Sequence, residues 1–292
     1  MSNYILRVFS LFPLYFGLES GQKNGIIFAE RSVRFYPFDS RGEYRLMDMI
    51  EKIEILKRMI AESGRIVFLG GAGVSCESGI PDFRSSNGIF EAIKKYGYPP
   101  EELLSHTFFM RKTETFFAYY KELLLSPDAK PNKAHLALAE LEARGKLTAV
   151  ITQNIDGLHQ LAGSNKVYEL HGSIHRNYCM KCHMFFDAEY VGSAKGIPYC
   201  PCGGIIKPDV VLYEEQLDHE CLNGALTHVM RADMMIVGGT SLQVYPAAGL
   251  IDYYRGDRLV LINKSATPYD SRADLVINES IGEVLGGAVM KQ

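Results

Sequence analysis

The sequence predicts an α/β protein built on a parallel sheet with helices on both faces, interrupted by one small module. Three observations predict it. Short apolar runs recur along the chain, at "RIVFLG" (65–70), "LTAVIT" (147–152), "MMIVGG" (234–239), "RLVLIN" (258–263) and "DLVIN" (274–278). Such near-continuous runs suit strands buried on both sides. Helical patterns at 133–144, 215–231 and 244–255 separate several of them, and strands alternating with helices build parallel sheets. Four of the six cysteines cluster between Ser173 and Lys207, where the apolar periodicity stops.

Taken in order, the chain opens with "YILRVFSLFPLYFGL" (Tyr4 to Leu18), which has the look of a short secretory core. Arg7 and Pro13 interrupt it, and no small-x-small cleavage site follows. Residues 1–45 are therefore expected to be an N-terminal extension of uncertain order, with Met47 or Met49 as the functional start; a true signal and an interaction segment are the alternatives. Ile50, Ile53, Leu56 and Ile60 then recur at helical spacing over 47–62, and Gly64 ends the helix. The first apolar run enters the glycine-rich turn "GGAGVSCESGIPDFR". The short strand "KVYEL" (166–170) precedes the module, and helix and strand alternate again after it. With 292 residues, 47% hydrophobic and 22% charged, the chain can bury a sizeable core. A net charge of −3 gives no footprint for nucleic acid, and no apolar run reaches the ~18 residues of a membrane span.

The cysteines are spaced Cys179-x2-Cys182 and Cys200-x-Cys202. The first three fit a zinc-ribbon pattern, and the last is one residue short of a second C-x2-C. Four thiolates on one tetrahedral Zn2+ would let this weakly apolar stretch fold. With all four positions filled, that zinc is structural. "CMKCH" (179–183) is also literally a covalent haem-attachment motif, but that reading needs an oxidising compartment and leaves Cys200 and Cys202 idle. Redox-active thiols are the third possibility.

The glycine-rich turn does not fit a hydride-carrier fingerprint. Counting from Gly71, glycines belong at 73 and 76, and position 76 is cysteine. The turn can still present backbone N–H groups to a phosphate. Three further segments have the residue types of a site: "TQNIDGLH" (152–159) at the end of a predicted strand, "LHGS" (170–173), and "GGTSLQVYP" (238–246). Each alone would be an ordinary turn or an ordinary hydrogen-bonded histidine; their joint occurrence in this order is the signal.

With GAGVSCESGIPDFR, TQNIDGLH, HGS, the four cysteines, KPDVVLYEE, GTSLQVYPAAGL and LIN in sequence, the chain resembles the sirtuin family of NAD-dependent protein lysine deacylases, of bacterial type, over roughly residues 46 to 290. The resemblance implies a Rossmann-like NAD-binding domain over 46–172 and 208–292 and a zinc-binding module over 173–207. NAD would lie between them and be consumed as a co-substrate. Carried over residue by residue, Gly71, Ala72, Gly73, Cys76, Phe83 and Arg84 belong to the loop around the pyrophosphate and nicotinamide ribose. Cys76 stands where threonine is common. Gln153, Asn154, Ile155 and Asp156 look like the nicotinamide and ribose pocket. Gly239, Thr240, Ser241 and Asn263 look like phosphate and adenosine-ribose contacts, with Ser280 and Ile281 near the adenine. The acyl-lysine oxygen would attack the ribose carbon as nicotinamide leaves, with His171 as general base on a ribose hydroxyl and Asn154 positioning ribose and water. Imidazole, with an unperturbed pKa of about 6.5, suits that role.

The same resemblance places acetylated peptides as an added strand, with Val211 and Tyr213 beside the acyl-lysine. Relatives that take succinyl or malonyl groups carry a Tyr-x-x-Arg pair. Here "FFAYYKELLL" offers Tyr119-x-x-Glu122 or Tyr120-x-x-Leu123, which favours a neutral acetyl group. The expected activity is NAD-dependent deacetylation giving nicotinamide and O-acetyl-ADP-ribose, in the cytoplasm. Mono-ADP-ribosyl transfer at the same site and a non-catalytic NAD sensor are the alternatives.

Overall fold

The computed structural model describes residues 43–81, 86–123 and 128–290. The expected N-terminal extension lies outside them except for 43–45, which begin the first helix. In chain order the elements are α1 (Glu43–Glu62), β1 (Ile66–Gly70), α2 (Gly73–Cys76), α3 (Ser86–Tyr96), α4 (Pro100–Leu103), α5 (His106–Arg111), α6 (Thr113–Leu123), α7 (Lys133–Ala143), β2 (Leu147–Thr152), α8 (Leu158–Leu161) and β3 (Val167–Glu169). There follow β4 (Gly172–Cys179), β5 (Phe185–Phe186), α9 (Ala188–Ser193), β6 (Ile206–Val210), α10 (His219–Arg231), β7 (Met234–Gly238), β8 (Leu259–Ile262), β9 (Leu275–Ile277) and α11 (Ile281–Val289).

Six strands form one parallel sheet in the order β3-β2-β1-β7-β8-β9. All five apolar runs are strands of it. β1, β7 and β8 are buried at every residue, as central strands covered on both faces must be. Alternate side chains serve opposite faces. Ile66, Phe68, Val150, Ile236 and Val260 pack with residues of α1, α7 and α11. Val67, Leu69, Ile151, Val237 and Leu261 pack with Ala225 and Val229 of α10 and with the 3-10 segment Ala247–Tyr253. The strand order reverses at β1, between β2 and β7, so the crevice beyond their carboxyl ends is the switch point where such sheets take ligands.

A second, antiparallel sheet has the order β5-β4-β6. It shares a core with α5 and α6: Phe108, Phe109, Phe116, Phe117, Tyr119 and Tyr120 pack with Cys179, Phe186, Val191 and Ile206. Edge-on ring pairs such as Phe109–Phe116 at 5.0 Å and Phe116–Phe117 at 5.3 Å each add about 1 kcal/mol beyond burial. The cysteine segment therefore does bury apolar residues, against helices distant in sequence.

Two expected helices differ in form. The helix expected from 215 starts at His219, because Asp218 caps it by accepting the Cys221 N–H at 2.7 Å. The pattern at 244–255 folds as a 3-10 segment entered through Pro246. No described helix is long and apolar enough to cross a membrane.

Candidate active site

The carboxyl ends of β1 and β7 approach so closely that only glycine fits there. The Gly73 N–H donates to the Gly239 carbonyl at 2.8 Å. Gly239 has φ +61°, and a Cβ on it would sit 2.4 Å from the Val74 nitrogen. These two glycines thus serve the packing of the turns. From β2, the Gln153 amide donates to Thr240 Oγ1 at 3.1 Å, and the Thr240 N–H donates to Asn263 Oδ1 at 2.8 Å. One chain of hydrogen bonds therefore spans the ends of β2, β7 and β8.

Under the first turn, Ser75 is buried and central. Its hydroxyl donates to Asp156 Oδ2 at 2.6 Å and accepts from Asn154 Nδ2 at 2.9 Å. The other carboxylate oxygen of Asp156 accepts the Leu158 N–H at 2.9 Å. Each oxygen keeps a second lone pair for a ligand. His171 follows β3, and its Nδ1 donates to the Gln153 carbonyl at 2.9 Å. A carbonyl can only accept, so the neutral ring carries its proton on Nδ1 and its basic lone pair on Nε2.

Behind this network lies a buried histidine pair. His135 and His159 have ring centroids 4.7 Å apart and almost no exposure. Burial drives His135 down to about 4; burial, with help from His135, drives His159 down to about 3. Asn132 caps α7 by accepting the Ala134 N–H at 2.9 Å, and it donates to the Val74 carbonyl at 2.7 Å and to Ser78 Oγ at 3.0 Å. This joins α7, which carries His135, to the turn that carries Ser75.

A cavity of about 1760 Å³ opens between the two sheets. Gly71, Ala72, Gln153, Asn154, Ile155, Asp156, His171, Gly239, Thr240 and Ser241 line it, as do Val211 and Tyr213. Gly73, Cys76, Asn263, Ser280 and Ile281 do not. Cys76 is exposed, with its thiol 3.4 Å from the Ala72 carbonyl. Asn263 acts through Thr240, Ser280 precedes α11, and Ile281 is part of the core. Phe83 and Arg84 lie outside the described residues.

On the opposite wall, the Val211 N–H donates to the His171 carbonyl at 3.0 Å, and Tyr213 exchanges backbone hydrogen bonds with the segment before α5. Glu215 braces this wall, accepting the Leu212 N–H at 2.9 Å and pairing with His106 and Lys207. Tyr119, Tyr120 and Glu122 stay out of the cavity; Glu122 is held by Lys95 and Tyr96 at the end of α3. Lys121 reaches the cavity edge instead, donating to the Ala194 and Gly196 carbonyls at 2.6 Å.

The sulfurs of Cys179, Cys182, Cys200 and Cys202 all lie within 4.8 Å of one another. Neighbouring sulfurs are 3.4 to 3.5 Å apart. That is far from a disulfide bond of about 2.05 Å and near the edge of a tetrahedron built on ~2.3 Å zinc–sulfur bonds. Burial works against a Cys179 thiolate, but N–H donors from Cys182 and Lys181 outweigh it and bring the thiol down to about 6. The shortened Cys200-x-Cys202 pair thus completes a ligand set for a structural zinc.

Sequence reasoning passed over Ser75 and Lys121. Ser75 sits beside the more conspicuous Cys76, and only its place in the turn facing TQNID could have singled it out. Lys121 is the residue just before Glu122, inside the Tyr119-x-x-Glu122 frame used to read acyl choice.

The model of the Sir2 family matches residues 71–246. An NAD-dependent protein deacetylase of Clostridium acetobutylicum is 61% identical over 241 residues, 82% of this chain and 98% of that protein. One of Clostridium perfringens is 60% identical over 243 residues, 82% of this chain and all of that protein. Among solved structures, a Sir2 complex with deacetylated p53 peptide and 3′-O-acetyl-ADP-ribose aligns with TM-score 0.73 at 40% identity, covering 80% of this chain and 96% of that one. A Sir2–p53 peptide–NAD+ complex aligns with TM-score 0.71 at 40% identity, covering 80% and 94%.

Proposed function

The chain belongs to the Sir2 family and is an NAD-dependent protein lysine deacetylase, and on that premise we propose how its own residues divide the work. The bound NAD supplies a glycosidic bond to nicotinamide and an ADP-ribosyl acceptor for the acetyl group. Gly71, Ala72 and Gly73 present the turn after β1 to the pyrophosphate, with Cys76, Phe83 and Arg84 completing that loop. Thr240 and Ser241, steadied by Asn263, hold phosphate and adenosine ribose, and Ser280 lies toward the adenine, whereas Ile281 packs in the core.

Asp156, oriented by the Ser75 hydroxyl at 2.6 Å, accepts from the nicotinamide carboxamide, and Ile155 helps exclude water beside it. Asn154 orients the ribose. His171 takes a proton from a ribose hydroxyl on Nε2. The observation that carries this reading is the bond from Nδ1 to the Gln153 carbonyl, because it selects the tautomer with its base on Nε2, in a side chain lining the cavity between the NAD-side turns and the peptide wall. Val211 and Tyr213 flank the acyl-lysine of a peptide laid along that wall.

The domain division follows the same lines: 46–172 and 208–292 bind NAD, and 173–207 is the zinc module. Four cysteines grouped as a metal-ligand set, and not as disulfide pairs, fit a cytoplasmic setting. His171→Ala tests the assignment. Nicotinamide release should fall about 100-fold or more with NAD binding retained, whereas unchanged turnover refutes the general-base role.

A further inference from the structure

His171 occupies the passage from one sheet to the other. β3 ends at Glu169 and β4 begins at Gly172, so only Leu170 and His171 lie between. Both banks hold this crossover by backbone bonds: Leu170 N–H to the Thr152 carbonyl at 2.9 Å, and Val211 N–H to the His171 carbonyl at 3.0 Å. Gly172 has φ +76°, and a Cβ there would sit 1.9 Å from the Asp209 carbonyl oxygen, so the crossover lies directly against β6. Any shift between the sheets therefore moves the imidazole.

One side chain spans that junction. The Arg176 guanidinium donates from Nη1 to Glu169 Oε2 at 2.6 Å and from Nε to Asp209 Oδ2 at 2.7 Å. Glu169 is the last residue of the parallel sheet before the crossover; Asp209 lies opposite Ser173 on β6, just before the peptide wall. A planar fork can hold two carboxylates at a fixed angle, which a point charge cannot. Arg176 sits where the β4–β6 register slips between Ser173 and Asn177. Its neighbours in that bulge brace the nicotinamide loop: Ile174 N–H donates to the Ile155 carbonyl at 3.0 Å, and His175 Nε2 donates to the Asp156 carbonyl at 2.9 Å. Arg176 itself does not line the cavity.

We infer that Arg176 is a positioning residue for deacetylation, clamping Glu169 of one sheet to Asp209 of the other so that His171 is held in register with the loop carrying Asn154 and Asp156. This rests on the reading of His171 as the base.

The test compares Arg176→Met, Arg176→Lys and the double variant Arg176→Met/Glu169→Gln, measuring kcat and KM on an acetylated peptide, KM for NAD, and thermal stability. Arg176→Met should lower kcat about 10-fold or more, since small misplacements of catalytic groups are costly, and leave KM for NAD within about twofold. Arg176→Lys should recover only part of kcat. Glu169 is 8% exposed, so Arg176→Met strands a buried carboxylate, and adding Glu169→Gln should restore stability without restoring kcat. Return of kcat together with stability, or a kcat within about twofold of the parent in Arg176→Met, overturns the proposal. Placing Arg176→Met in the His171→Ala background separates the two readings. Loss of its effect there shows that Arg176 acts through His171, and an undiminished effect shows that it does not. A His171→Ala enzyme with unchanged turnover would instead refute the base assignment itself.

Discussion

The two layers that meet at the cavity are held by different means. In the six-stranded layer, strands buried at every residue set the register, and the site residues stand where those strands end. In the three-stranded layer, only five residues of β4 pair with five of β6, and thiolates, aromatic rings and ion pairs do the rest. One half of the site is thus placed by non-directional burial, and the other by a few directional contacts. Perturbations should separate the two halves.

Removal of the metal should separate them most. Stripping zinc with a strong chelator, or Cys200→Ser, should cut acetyl-peptide turnover by about 100-fold or more, because the fold of β4–β6 depends on the ligand set. Hydrogen exchange should rise across 172–210 and stay low in β1 and β7. Equal loss of protection in both layers would erase the distinction.

A smaller effect is expected inside the sheet-end network. Ser75→Ala removes the hydroxyl linking Asp156 and Asn154, a bond to a charged group worth about 1.5–3 kcal/mol. We expect kcat/KM for NAD to fall about 10- to 100-fold with the peptide KM little changed. An effect confined to a raised peptide KM would place Ser75 on the wrong side of the cavity.

Acid should act on the parallel-sheet layer first. His135 and His159 have folded pKa values of about 4 and about 3, below the ordinary imidazole value. Above pH ~6.5 both rings are neutral in either state and cost nothing; as pH falls, the unfolded chain binds protons that the folded one refuses. Stability should therefore drop from pH ~6.5 down to about 3, by roughly 2 kcal/mol per ring at pH 5. Denaturant midpoints at pH 7.5 and 5 check this, and His159→Phe should flatten the difference. Smallest of all, Cys76→Thr should change KM for NAD by less than about threefold, since the thiol is exposed and off the cavity surface.

The same contrast explains what could be read from the chain. The apolar runs at 65–70, 147–152, 234–239, 258–263 and 274–278 were legible as strands because full burial writes itself into composition. The four cysteines were legible because metal ligands have few alternatives. Helices α3 to α6 were not. They are 4 to 11 residues long, too short for helical periodicity to emerge, and α5 and α6 are rich in aromatics. Their partner surface, the cysteine-bearing sheet, lies far along the chain, so nothing local announces it. Acyl choice was read from Tyr119 and Glu122, yet it is Lys121, one position away, whose helix face turns toward the cavity. Ser75 and Arg176 escaped notice because their importance lies in what they join, and pairwise geometry is absent from a linear pattern.

The crevice at the ends of β1, β2 and β7 breaks NAD and hands the acetyl group of lysine to the ADP-ribose left when nicotinamide departs. Mass spectrometry of the products from one acetylated peptide and NAD tests this most directly. Deacetylated peptide, nicotinamide and O-acetyl-ADP-ribose should form in equal amounts. ADP-ribosylated peptide still carrying its acetyl group, or free acetate with intact NAD, would contradict it.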